Sequence, residues 1–187
     1  MGTGPSQPSN PADAPRARTA PVAIAPRWLA VLALVPSACG SHFDGTVYRN
    51  DDLAFAVGAT PTTWRPIDVS DARLAYRDDS RDATIALHAR CGKDGDDVPL
   101  KALTQHLFIH FTDRDVLSQQ VVPLDGREAM RTLVHAKLDG VPRRFLVYVL
   151  KKDGCVYDFL YISRPQTLAM GMADFDQFVQ AFRTRAD

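Results

Sequence analysis

Residues 124–155 are LDGREAMRTLVHAKLDGVPRRFLVYVLKKDGC and contain three Asp-Gly pairs, at 125–126, 139–140 and 153–154. Asp-Gly favours a two-residue hairpin turn, because both central positions of that turn need a positive φ. The segments between the pairs alternate apolar and polar side chains, as strands with one buried face do. This pattern predicts an antiparallel meander of four strands that starts near Val116.

Other apolar patterns predict elements on both sides of the meander. Short strands are expected at residues 53–57, 72–77 and 84–90. A helix is expected after Pro99, since proline suits the first turn of a helix, and a second helix is expected near the C-terminus. Their apolar faces are formed by Leu100, Leu103, Leu107, Phe108 and Phe111, and by Met172, Phe175, Phe178, Val179 and Phe182. The predicted fold class is therefore α+β, an antiparallel sheet with helices packed on its faces.

The first forty residues differ in composition from the rest. Residues 1–26 are rich in Pro, Ala, Ser and Thr, and basic residues precede an apolar run at residues 28–35. That run has the length of a signal-peptide core and is too short to span a bilayer. We expect a leader at 1–38, a lipid-anchored tether at 39–45 and a single domain at 46–187.

The segment Ser37-Ala38-Cys39 resembles the lipobox of bacterial lipoproteins. The resemblance implies that Cys39 carries lipid and anchors the chain to a membrane, with the domain in the periplasm. Gly40 after the cysteine favours the outer membrane over the inner membrane. Two alternatives remain open: a plain secretory signal in which Cys39 is incidental, and a buried helix of a cytosolic protein.

Cys91 and Cys155 are the two cysteines left if Cys39 is acylated. In an exported protein we expect them to form a disulfide. The alternative is two separate buried thiols. A redox-active pair is disfavoured because the chain has no C-x-x-C motif.

Composition and missing motifs argue against several function classes. Lys plus Arg and Asp plus Glu are equal at 22 each, and no basic stripe occurs, which disfavours a nucleic-acid partner. The chain has no G-x-S-x-G, phosphate-binding loop or G-x-G-x-x-G motif. We therefore expect a protein that is not an enzyme and needs no cofactor.

Two patterns are weak candidates for metal binding. His106 and His110 are four residues apart on the first predicted helix, with Asp113 as a third ligand. A zinc protease would need a glutamate where Leu107 stands. The simpler interpretation is a pair of boundary histidines.

An aspartate-rich loop around residue 95 is the second metal candidate. Asp94, Asp96 and Asp97 crowd one glycine-containing loop, which would attract calcium. The loop lacks the length and terminal glutamate of a calcium-binding loop. A solvated turn is the simpler interpretation.

Four aromatic residues are candidates for a pocket or partner surface: Trp64, Tyr148, Tyr157 and Tyr161. Such residues are enriched where proteins bind partners. Packing within the sheet and core is the simpler interpretation.

The order of elements resembles the PsbP-like fold, which photosystem II extrinsic proteins, Ran-binding Mog proteins and small bacterial lipoproteins share. The opening segment Tyr48–Val57 followed by Pro61 and Trp64 is similar to the start of that family, and the helix at 175–182 is similar to its end. The resemblance covers residues 46–184. It implies a non-enzymatic accessory or binding module.

These observations lead to one expected function and two alternatives. We expect a membrane-tethered accessory or partner-binding lipoprotein with an envelope protein as its partner. The alternatives are a periplasmic carrier of a small ligand and a metal-binding protein or enzyme that uses His106 and His110. The sequence leaves the oligomeric state open.

Overall fold

The structure is a computed structural model that describes residues 40–92 and 97–185. Its strands are β1 (His42–Phe43), β2 (Val47–Arg49), β3 (Ala54–Ala56), β4 (Arg65–Pro66), β5 (Ala72–Asp78), β6 (Ala83–Cys91), β7 (Thr112–Leu124), β8 (Arg127–Leu138), β9 (Val141–Lys152), β10 (Cys155–Ser163) and β11 (Arg183–Arg185). Its helices are α1 (Leu100–His106) and α2 (Leu168–Gln180), the second preceded by a 3-10 turn at Pro165–Thr167.

The predicted meander is present and is part of a larger sheet. Seven strands pair in the order β4-β5-β6-β10-β9-β8-β7, every pairing being antiparallel. At the three Asp-Gly turns all six residues have positive φ, between 47° and 79°, as a two-residue hairpin turn requires. The meander prediction is thus confirmed, although β7 begins at Thr112 rather than near Val116.

The two faces of the large sheet are covered by different helices. Strand β9 shows this, because its successive side chains alternate between faces. Leu146, Tyr148 and Leu150 pack in the cluster that contains the α2 residues Phe175 and Phe178. The neighbours of these β9 residues lie in the other cluster, against which the apolar side chains of α1 pack. The predicted α+β fold class is confirmed.

A second sheet of four strands, in the order β1-β2-β3-β11, lies beside the α2 cluster. Three of its strands, β1, β2 and β11, were not predicted as strands from the sequence. Strand β1 falls within the predicted tether at 39–45 and pairs with β2, and Phe43 packs against the core. Strand β11 follows α2 and pairs with β3. These segments are too short to show a period in sequence, so only long-range pairing reveals them.

Candidate functional site

Cys91 and Cys155 form a disulfide, with an S–S distance of 2.04 Å. They stand directly opposite each other on the neighbouring strands β6 and β10. The disulfide prediction is therefore confirmed. Cys91 is exposed and Cys155 is buried, so the disulfide lies where the core meets the surface.

The predicted membrane anchor lies outside the described residues. The leader at 1–38 and Cys39 are both there. Within the part of the chain that the structure describes, no helix is both long enough and apolar enough to cross a bilayer.

The four aromatic candidates are interior residues and form no surface. Trp64, Tyr148, Tyr157 and Tyr161 are each at most 3% exposed. Their rings lie against other aromatic rings, for example Tyr157 against Phe182 at a centroid distance of 4.8 Å. The surface prediction is wrong for these residues, because the sheet and α2 enclose them and gain more from burying large apolar areas.

Three of these aromatic residues have polar partners, and Tyr161 Oη donates to the Leu168 carbonyl at 3.2 Å. Trp64 Nε1 donates to Asp174 Oδ2 at 3.0 Å. Tyr148 Oη donates to Asp176 Oδ1 at 2.8 Å, and burial together with this carboxylate raises the pKa of Tyr148 to about 12. These hydroxyl and indole groups therefore support packing and do not present a reactive surface.

The two histidines of the predicted metal site do not lie on one helix. Helix α1 ends at His106, and His110 lies in the turns that follow, so the two do not share a helix face. Asp113, the third predicted ligand, is ion-paired with Lys137 at 2.6 Å. Within residues 40–92 and 97–185, no three His, Cys, Asp or Glu side chains are grouped to hold a metal.

Of the three aspartates in the calcium candidate, Asp94 and Asp96 lie outside the described residues. Asp97 is described and is exposed in a turn just before α1. The calcium hypothesis thus stays a prediction.

A groove, which we call the α1 groove, is lined by strands β5, β6 and β10 and by Leu107 just after α1, and it contains a charged residue that the sequence predictions did not include. Asp158 lies on β10, on the sheet face that α1 covers, and only 1% of it is exposed. The groove has a volume of about 440 Å³. Its lining includes Asp71, Arg73, His88, Arg90, Leu107, Asp158 and Leu160.

The carboxylate of Asp158 is only half satisfied. Arg90 Nη2 donates to Oδ2 at 2.8 Å, while Oδ1 is buried and accepts no hydrogen bond from the described part of the chain. Burial raises the pKa of Asp158 to about 6, against the opposing effects of Arg90 and His106. A buried carboxylate with an unused oxygen is costly to keep, which makes the groove a candidate binding site.

The groove continues along α1 toward the disulfide. A second depression of about 560 Å³ shares Arg90 with the first and is lined by Cys91, Leu103, His106 and Val156, among others. One signal in the sequence marks this place. Within β10 the positions facing α1 hold Val156, Asp158, Leu160 and Ile162, so a single charge interrupts an apolar row.

Exposed apolar side chains concentrate on another part of the surface, at strand β7, which pairs with a neighbour on one side only within residues 40–92 and 97–185. We call it the β7 edge and define it by strand β7 with Ile109. Ile109, Val116 and Val121 are each more than half exposed. Val116 and Val121 stand opposite Val134 and Met130 on β8, whose side chains belong to the α1 side of the sheet. The β7 edge therefore extends that apolar face beyond the last strand.

Neither a protein-family model nor a curated protein matches the sequence. The fold is nevertheless PsbP-like, as the resemblance implied. CyanoP, the cyanobacterial PsbP of Synechocystis, has a TM-score of 0.55 and 13% identity, over 80% of this chain and 99% of that chain. LpqN of Mycobacterium tuberculosis, described as involved in cell envelope biogenesis, has a TM-score of 0.52 and 14% identity, over 79% of this chain and 90% of that chain. At such identities the likeness establishes the fold alone.

Proposed function

We propose that this protein is a lipid-anchored accessory protein of the bacterial envelope, without enzymatic activity, that binds a protein partner through the β7 edge. The single observation that carries the binding proposal is the free edge of β7, which bears apolar side chains over half exposed. Soluble proteins usually protect such strands, because an unpaired edge accepts another strand.

The chemistry of β7 indicates the kind of partner. From Val116 to Leu124 the strand carries no charged residue, and its pairing with β8 is regular from Ser118 onward. A regular, uncharged edge fits an extended segment with alternating apolar side chains, which adds to the sheet as a further strand. The partner would be such a segment of an envelope protein.

Export is supported by the disulfide. Cys91 and Cys155 are paired, and structural disulfides persist chiefly in oxidising compartments outside the cytosol. The lipobox-like segment before Cys39 and the fold shared with LpqN, an envelope-biogenesis protein, point in the same direction. A small-ligand carrier enclosed by the four aromatic residues is not supported, because they fill the core.

The partner proposal is tested by photo-cross-linking in cells, with a photoreactive residue at Val121 or at Met170. Met170 is a matched control, since it is apolar, 57% exposed and on α2, while Val121 is 53% exposed. We expect one envelope protein to be linked from Val121 and not from Met170. Binding of the purified partner segment should then be weakened at least tenfold by Val121→Lys and unchanged by Met170→Lys. Equal labelling from both positions would overturn the proposal.

The anchor is tested by the intact mass of the protein extracted from membranes, without reduction and after thiol alkylation. We expect a chain that begins at Cys39, carries acyl groups and has no alkylated thiol. Cys39→Ser should release the protein from the membrane fraction. A full-length, unlipidated chain would contradict the anchor.

A further inference from the structure

The α1 groove holds charges in a balanced arrangement. Its lining has two carboxylates, Asp71 and Asp158, and two guanidinium groups, Arg73 and Arg90. Burial lowers the pKa of His88, which keeps that imidazole neutral at pH 7. A net-neutral lining disfavours ligands of high net charge and favours one that carries both signs.

The free hydrogen-bonding groups of the groove determine which groups a ligand must carry. Oδ1 of Asp158 accepts nothing from the described residues, so it needs an N–H or O–H donor. Arg90 is 55% exposed and uses one nitrogen on Asp158. A guanidinium has five N–H donors, so Arg90 keeps donors for a carboxylate. Arg73 uses two of its three nitrogens, Nε and Nη2, on the Ala89 carbonyl at 3.3 Å each.

The spacing and the walls restrict the ligand further. Asp158 and Arg90 are in contact with each other. A ligand that binds both must therefore carry its donor and its carboxylate close together, on the same carbon or on neighbouring carbons. The ammonium and carboxylate of a free α-amino acid share one carbon and meet that requirement. Leu107 and Leu160 supply apolar walls, and about 440 Å³ is ample for an amino acid with an aliphatic side chain.

We propose that this groove binds a free aliphatic α-amino acid, with its ammonium on Asp158 and its carboxylate on Arg90. The site is lined by β5, β6, β10 and Leu107, whereas the β7 edge lies beyond β8 at the end of the same sheet. The two proposals therefore stand or fall separately.

Equilibrium dialysis of the purified protein with labelled leucine tests the proposal. We expect saturable binding at one site. Leucinamide, which lacks the carboxylate, and N-acetyl-leucine, which lacks the ammonium, should each bind at least tenfold more weakly. Absence of saturable leucine binding at millimolar concentration, or equal binding of N-acetyl-leucine, would overturn the proposal.

Variants locate the site. Asp158→Asn and Arg90→Gln should each weaken leucine binding at least tenfold, and circular dichroism should show that both remain folded. Asp115→Asn is the control, because it makes the same chemical change at an exposed aspartate outside the groove. Unchanged leucine affinity in Asp158→Asn would place the ligand elsewhere and refute the assignment. Val121→Lys should keep full leucine binding, which separates this result from the partner proposal.

Discussion

Asp158 is a charged side chain whose burial costs stability. Leu160 and Val156, its neighbours on the same face of β10, pack in the apolar α1 cluster. A carboxylate in that row loses its hydration, and one ion pair with the half-exposed Arg90 does not replace it. Proteins tolerate such a cost where the group has a task other than stability.

The cost should appear in the pH dependence of stability. The folded pKa of Asp158, about 6, lies above its ordinary value of 3.8. Folding therefore favours the protonated form, so this stabilisation is present below pH 3.8 and is lost as the pH rises through 6. The groups that face Asp158 are Arg90 on β6, His106 on α1 and, across the strand pair, His88.

Asp158→Asn should accordingly stabilise the protein at pH 7 by about 1–3 kcal/mol and have little effect near pH 4. Urea unfolding at the two pH values measures this difference. Asp115→Asn, at an exposed position, should change neither value by more than about 0.5 kcal/mol. A variant that is less stable than the parent at pH 7 would contradict the expectation.

Asp174 differs from Asp158, because its carboxylate accepts hydrogen bonds from two side chains. It accepts hydrogen bonds from Trp64 Nε1 at 3.0 Å and from Arg81 Nη1 at 2.6 Å. Asp174→Ala leaves the buried indole N–H without its acceptor and should lower the free energy of unfolding by about 1–3 kcal/mol. Denaturant unfolding checks this loss. Trp64→Phe in the same background should remove part of the penalty, and full additivity of the two changes would contradict a direct coupling.

Helix α2 owes its position to a close approach at one glycine. Gly171 lies on the buried face of α2, and a Cβ built there would stand 2.5 Å from the hydroxyl of Tyr161 and 3.0 Å from its Cζ. Tyr161 is fully buried and donates to the Leu168 carbonyl at 3.2 Å, so it has no free space to retreat into. The missing side chain at residue 171 thus lets the helix lie directly on β10.

Gly171→Ala should therefore destabilise the protein by about 1–3 kcal/mol, although alanine is the better helix former by about 1 kcal/mol. Thermal unfolding measures the change. Ala173→Gly, on the exposed side of α2, is the control for propensity and should cost about 1 kcal/mol. Tyr161→Phe should partly rescue Gly171→Ala by removing the nearest atom. A stabilised Gly171→Ala variant would show that α2 does not approach β10 this closely.

The disulfide acts on the whole chain, because Cys91 and Cys155 are 64 residues apart and enclose α1 and the first three strands of the meander. Closing a loop of that length reduces the entropy of the unfolded state, which corresponds to about 4 kcal/mol of stability. The link also joins β6 to β10, two neighbouring strands that line the α1 groove. It therefore ties the stability of the domain to the oxidation state of its surroundings.

Reduction, or the double variant Cys91→Ser/Cys155→Ser, should lower the free energy of unfolding by about 2–5 kcal/mol. Urea unfolding with and without a thiol reductant measures the loss for the parent protein. The double variant is the control for the reductant itself and should give the same unfolding curve in both buffers. An unfolding midpoint of the parent that is insensitive to reduction would contradict the expectation.

The local chemistry of the sequence was sufficient for most of the fold. The Asp-Gly pairs specify hairpin turns because few residues other than glycine and aspartate tolerate positive φ. The alternation in β8 and the apolar spacing of α2 specify which faces are buried. The α+β class and the meander follow from such short-range signals, whereas the pairing of Cys91 with Cys155 was expected from the number of cysteines and from export.

What depended on the tertiary structure is the location of each residue relative to distant ones. Trp64 and Tyr161 are of residue types that are common on binding surfaces, but α2 and the sheet enclose them. Helix α1 ends at His106, so His106 and His110 do not share a helix face. Asp158 is a candidate ligand-binding residue only because β6 brings Arg90 beside it and Leu107, just after α1, lines the same groove, contacts that no local sequence pattern encodes.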